Sequence, residues 1–310
     1  MEIISNIDTL RKYVNVNASI SYEKVEPFLN YAMNVYISRY LGSQLISQLI
    51  ADINAVNHNA NLQALLPYVQ AALAPFAMYH GTDELSIAVG EMGHTVQRDE
   101  NLAPASDTKI EAYKTSIAER AWNNLELLIK YLESNDGNYP DWHSSDYYNT
   151  RTSTFFKSAS DYQDNGHVNI NYSRLTFEKL RSILITIEDR YIAGKLPVML
   201  YTALQGESLS PLLTQLLAII KKFAAAKAAA LVTSRTSKQQ RKKDGDLEFT
   251  PLIRPLFEDE DSGNFYEEQA EYYMAMLDDF LVENAEELGM TINSTSMLDW
   301  NKKEKHIYFV

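Results

Sequence analysis

Residues 21–49 lie over residues 176–204 without a gap, at an offset of 155, and eight of the 29 positions are identical. The shared residues are Glu23/Glu178, Lys24/Lys179, Leu29/Leu184, Tyr36/Tyr191, Ile37/Ile192, Leu41/Leu196, Leu45/Leu200 and Leu49/Leu204. The match extends in the same order on both sides. Val14-Asn15-Val16-Asn17 matches Val168-Asn169-Ile170-Asn171 upstream. Leu65–Ala77 matches Leu212–Ala224 downstream, and Tyr113–Trp122 lies over Tyr272–Leu281. Sequence repetition at this spacing predicts a supersecondary unit used twice.

Within each copy the apolar spacing is helical. Val25, Phe28, Leu29, Ala32, Val35 and Tyr36 fall on one face, as do Leu180, Ile183, Leu184, Ile187 and Tyr191. Ser21 and Thr176 are the expected N-caps. Gly42 and Pro197 share a repeat position and predict a break there. An apolar helix from Leu65 to about Val89 follows, with a kink or restart expected at Pro75. Its Ala-rich counterpart runs from Pro211 to Val232. Third helices are expected at 106–133 and about 266–288, the latter stopped by Gly289.

The expected fold class is therefore mainly α: two tandem homologous helical bundles, with minor β in an insertion and in the C-terminal tail. The boundaries implied are 1–136 for the first repeat domain, 137–172 for an aromatic polar linker that packs as a strap, 173–290 for the second repeat domain with its insertion at 233–264, and 291–310 for the tail. Composition agrees with helices. Gly is 11 and Pro 9 of 310 residues, well under the usual ~7% and ~5%.

The chain contains no Cys, which excludes disulfides, thiolate metal sites and Cys nucleophiles. The opening residues lack the basic and apolar regions of a secretion signal. The most apolar run, Leu212 to Val232, is interrupted by Lys221, Lys222 and Lys227, so no membrane span is expected. The formal charge of −13 disfavours nonspecific nucleic-acid binding by the whole surface.

Motifs for chemistry are sparse. Neither phosphate-binding glycine loop occurs, nor a Gly-x-Ser-x-Gly elbow. Glu91 and His94 form a single Glu-x-x-His step flanked by Gly90 and Gly93, whereas a helical di-metal site needs that step twice. His80 is expected as a partly buried core histidine. Asp278-Asp279 and Glu286-Glu287 diverge around a helix and are expected as a solvated face. No catalytic residue, cofactor or metal is assigned. The candidate partner contacts are the basic run Lys238, Arg241, Lys242 and Lys243, and the terminal Ile307, Tyr308 and Phe309. Nucleic acid could be met only through the Lys238–Lys243 loop.

The segments Tyr22-Glu23-Lys24-Val25-Glu26-Pro27-Phe28, Tyr36-Ile37 and Tyr40-Leu41-Gly42-Ser43-Gln44-Leu45 resemble an uncharacterised helical family of gut-bacterial genomes and their prophages. So do Leu66–Ala74 and the Phe155–Phe177 stretch. The helical core is also loosely similar to phage head–tail connector proteins. These resemblances imply a non-enzymatic structural or assembly protein of a phage or prophage particle, located in the host cytoplasm or the virion. Its partners would be further copies or other particle proteins. The alternative reading is a cytosolic adaptor that binds a protein or small ligand.

Overall fold

The computed structural model describes residues 3–17, 20–85, 88–90, 93–95, 106–150, 154–206, 208–235 and 262–290. These are helical almost throughout, and no described helix is long and apolar enough to cross a membrane. They divide into two compact units. The first comprises Met1–Ser153 and Ile170–Lys179, and the second Thr154–Asn169, Leu180–Thr236 and residues from 259 onward.

In the first unit, helix α1 (Ile7–Arg11) is capped by Asn6, whose side chain accepts from the Thr9 N–H at 2.8 Å. An extended stretch then buries Val14 and Val16. Helix α2 (Tyr22–Ala32) buries Val25, Leu29 and Ala32 and runs into a π turn at Met33–Ile37. Short α3 (Ser38–Leu41) ends at Gly42, and α4 (Ser43–Ile53) follows. Gly42 sits at φ +79° and ψ 153°, a region open essentially to glycine alone.

Helix α5 (Ala60–Leu85) forms the centre of this unit and packs on α2 and on α6 (Asp107–Ser134). Of the kink or restart expected at Pro75, the restart does not occur: α5 runs unbroken through Pro67 and Pro75. The physical reason lies on another helix. Proline cannot donate to the carbonyl four residues back, here that of Ala71. Asn124 on α6 fills the gap by donating its Nδ2–H to the Ala71 carbonyl at 2.7 Å. Between α5 and α6, strands β1 (Ala88–Gly90) and β2 (Gly93–Thr95) pair antiparallel, with Val89 opposite His94. The expected β in the insertion and tail lies outside the described residues.

In the second unit, α8 (Ala159–Gly166) is capped by Ser158 and precedes a buried extended stretch at Val168. Helix α9 (Arg174–Ile187), whose residues through Lys179 belong to the first unit, runs into a π turn at Glu188–Ile192. Then come α10 (Val198–Leu204), α11 (Pro211–Arg235) and α12 (Ser262–Glu283). The two π turns lie 155 residues apart, the same spacing as the sequence match. Small residues on α11 serve close packing against α8. A Cβ added at Gly166 would fall 2.6 Å from the Ala225 Cβ.

The start of α9 differs from the Thr176 expected. Its cap is Ser173, whose Oγ accepts from the Thr176 N–H at 3.1 Å. Glu126 of α6 adds a tertiary cap, accepting from the Arg174 and Leu175 N–H groups at 2.7 and 3.2 Å. A carboxylate at a helix N-terminus satisfies orphan donors and favours the dipole. Arg174 also pairs with Glu126 and Glu133.

Candidate functional site

Three features stand out from ordinary core packing. The first is the corner where α3 meets α4. Tyr40, Leu41 and Gly42 are buried there beneath the segment 139–149, which includes α7 (Asp146–Asn149). Trp142 is fully buried, and its Nε1–H donates to the Tyr40 carbonyl at 2.8 Å. Its ring meets Tyr148 edge-on with centroids 5.0 Å apart. A Cβ on Gly42 would come within 3.1 Å of Ser145, so strap and corner are in close contact. Burial, with the nearby Glu178 carboxylate, pushes the Tyr40 hydroxyl well above its usual pKa. Arg39 pairs with Glu178.

In the second unit Leu196 is buried, as Leu41 is in the first, while Pro197 is exposed where Gly42 is buried. Val198 and Met199 are 82% and 86% exposed. Nothing among the described residues lies within 4 Å of a Cβ built on Gly194. At the aligned positions the first unit has polar Ser43 and Gln44, which are exposed as well.

The second feature is a charged set inside the second unit. Glu188 is 2% exposed and accepts from the Phe155 N–H at 3.0 Å. Lys221 of α11 reaches both carboxylate oxygens of Asp161 on α8, at 2.6 and 2.8 Å. Burial pushes the Glu188 carboxyl up to about 8. The neighbouring Asp189 adds to that rise, while the Phe155 N–H and Lys221 oppose it. At the offsets of the sequence match, the first unit has Ile7, Met33 and Ala74 in place of Asp161, Glu188 and Lys221. A protonated acid at neutral pH can hold or release a proton, and a π turn is a frequent location for functional side chains.

The third feature is a stripe on α12. Phe265, Tyr272 and Met276 are exposed by 56%, 57% and 38%. Spacings of seven and four residues place them on one helix face. The opposite face buries Ala270, Leu277 and Leu281.

Lys238, Arg241, Lys242, Lys243, Ile307, Tyr308 and Phe309 all lie outside the described residues. Glu91 does also, while His94 sits in β2. His80 is half-buried as expected. The Tyr36 hydroxyl and His80 Nε2 are 2.9 Å apart, and burial lowers the imidazole pKa. Asp278 departs from a purely solvated role, because Lys195 pairs with it. Glu286 and Glu287 are exposed. Among the described residues, no group of three or more His, Asp or Glu side chains is arranged to hold a metal ion.

Residues 37–152, from the first π turn through α7, are similar to a family of unknown function, DUF6712. That match spans just over a third of the chain and includes the covered corner with its strap. No curated protein and no solved structure matches the chain.

The sequence reading missed both Glu188 and the α12 stripe, although each left a signal. Glu188 interrupts an apolar repeat position held by Met33. The stripe of Phe265, Tyr272 and Met276 is visible as a second apolar face on a helix that needs only one.

Proposed function

We propose that the chain is a non-enzymatic structural or assembly protein that works by associating with further copies of itself, as a phage or prophage particle component would. The observation that carries this reading is the apolar stripe of Phe265, Tyr272 and Met276 on α12, exposed in the single chain. Clustered exposed aromatics and Met are enriched at protein interfaces. The resemblance to a helical prophage family and to head–tail connectors points the same way.

The reading also takes the two units as copies of one ancestral bundle. Support comes from several independent registers. The π turns share the 155-residue offset. Tyr36 stacks on Phe76 at 4.3 Å, and their counterparts Tyr191 and Phe223 meet at 5.8 Å. Val69, Leu73, Phe76 and Ala77 are buried on α5, and so are Leu216, Ile220, Phe223 and Ala224 on α11. Duplication frees one copy to hold the scaffold while the other changes its surface. The second unit carries the exposed stripe and the buried charges.

Mass photometry of the purified chain at several salt concentrations tests the proposal. Assemblies that persist at high salt and break up in a Phe265→Ser/Tyr272→Ser variant are expected. A wild-type chain that stays monomeric throughout would remove the support.

A further inference from the structure

We propose that the exposed face of α12 docks on the first unit of a second copy, in a groove where a basic hollow adjoins an apolar one. The inference rests on the reading of α12 as a self-association surface, and it deepens that reading by naming the surface that receives the helix.

Charge makes the choice. Helix α12 (Ser262–Glu283) holds six acids and neither Lys nor Arg. Lys227 pairs with Glu267, and Lys195 with Asp278. Glu268, Glu271, Asp279 and Glu283 are exposed. At about 100° per residue, Glu268, Asp279 and Glu283 fall within about 60° of the line through Phe265, Tyr272 and Met276. The exposed face is therefore apolar and acidic together. Two α12 helices packed on each other would set these carboxylates face to face, with no cation from either helix to offset them. The partner that suits this face is apolar and basic.

The first unit carries such a surface. Tyr13, Tyr68 and Leu127 line an apolar hollow of about 290 Å³ beside α5 and α6. Tyr68 is 37% exposed and Leu127 52%. Tyr13 is also a wall of a second hollow, of about 390 Å³, whose cations are Arg11, Lys12 and Arg120. Arg11 pairs with Asp8, whereas Lys12 and Arg120 are exposed and form no ion pair among the described residues. No acid among the described residues lines either hollow. In a chain of net charge −13, this groove is where α12 finds both of its complements.

The spacings agree. Arg120 and Leu127 lie seven residues apart on α6, so about 10 Å separates them along one face. Tyr272 and Asp279 are also seven residues apart, on α12. With the two helices antiparallel, Tyr272 meets Leu127 and Tyr68 while Asp279 reaches Arg120. Met276 falls between them, and Glu283 adds a second carboxylate at the basic end. Apolar contact holds the pair, and charge selects the face. Because the two faces differ, the contact is heterologous: each joined pair still offers one free stripe and one free groove.

Complementation between two full-length variants tests this. Phe265→Ser/Tyr272→Ser removes the stripe, and Arg120→Glu/Leu127→Ser removes the groove. All four positions are exposed, and circular dichroism checks that helical content is kept. Sedimentation velocity of each variant alone should give the single-chain mass. Mixed in equal amounts, the two should associate and stop at two chains, since one still offers a groove and the other a stripe. A groove variant that assembles as the wild type does would overturn the inference and leave self-association through α12 standing. A mixture that stays at the single-chain mass, while the wild type assembles, would also overturn it. A wild type found only at the single-chain mass would overturn both readings. Charge reversal supplies a second test that keeps the apolar residues. Arg120→Glu should weaken assembly, and Arg120→Glu/Asp279→Lys in the same chain should restore it. A double reversal no better than Arg120→Glu alone would overturn the pairing.

Discussion

Replacing Glu188 by Gln should remove a pH dependence that one buried carboxyl imposes on the second unit. The carboxyl ionises at an ordinary value of 4.5 when exposed and at about 8 when folded. Between those values the folded chain holds a proton that the unfolded chain has released. Stability therefore falls as pH rises through this window, with a slope near 1.4 kcal/mol per pH unit. From pH 5 to pH 8 the loss is about 4 kcal/mol. Above about 8 both states are ionised and the slope vanishes. The groups facing Glu188 are Asp189 on its own turn, Lys221 on α11 and Tyr201 on α10. Lys221 is already engaged by Asp161. Glu188→Gln keeps an acceptor for the Phe155 N–H and cannot ionise. Urea unfolding followed by circular dichroism at pH 5, 6, 7 and 8 gives the comparison. With a slope of about 2–3 kcal/mol per M of urea, the wild-type midpoint should fall by roughly 1–2 M more than that of the variant. Parallel midpoints across this range would refute the reasoning.

Other predictions concern the first unit. Asn124→Leu should destabilise by about 1–3 kcal/mol, because the Ala71 carbonyl beside Pro75 loses its donor. In a Pro75→Ala background the same change should cost less, and a double-mutant cycle by urea unfolding reads the difference. Gly42→Ala should cost about 1–3 kcal/mol from its backbone conformation alone, with further loss from the clash with Ser145. Thermal unfolding checks that value, and an unchanged midpoint would contradict the tight corner.

Much of the helical plan was legible in the residues. Apolar spacing marked α2, α4, α9 and α10, and Gly42 and Pro197 marked the shared break. What local pattern did not contain was tertiary compensation. Pro75 reads as a helix breaker until Asn124, on another helix, supplies the missing donor. The true start of α9 depends on Glu126, far upstream in the chain. A π turn leaves no propensity signal, so both were unforeseen although they share one register. The basic run and the terminal aromatics stood out by composition, which marks unusual residues without placing them. Glu188 was within reach of the repeat comparison itself, since its partner position is the buried Met33.

Self-association through α12 is tested most directly by weighing the chain in solution. Mass photometry of the wild type should show species at multiples of 35.3 kDa. The Phe265→Ser/Tyr272→Ser variant should show the single-chain mass with its helical content unchanged. A wild type found only at the single-chain mass, or a variant that assembles equally well, would contradict the account.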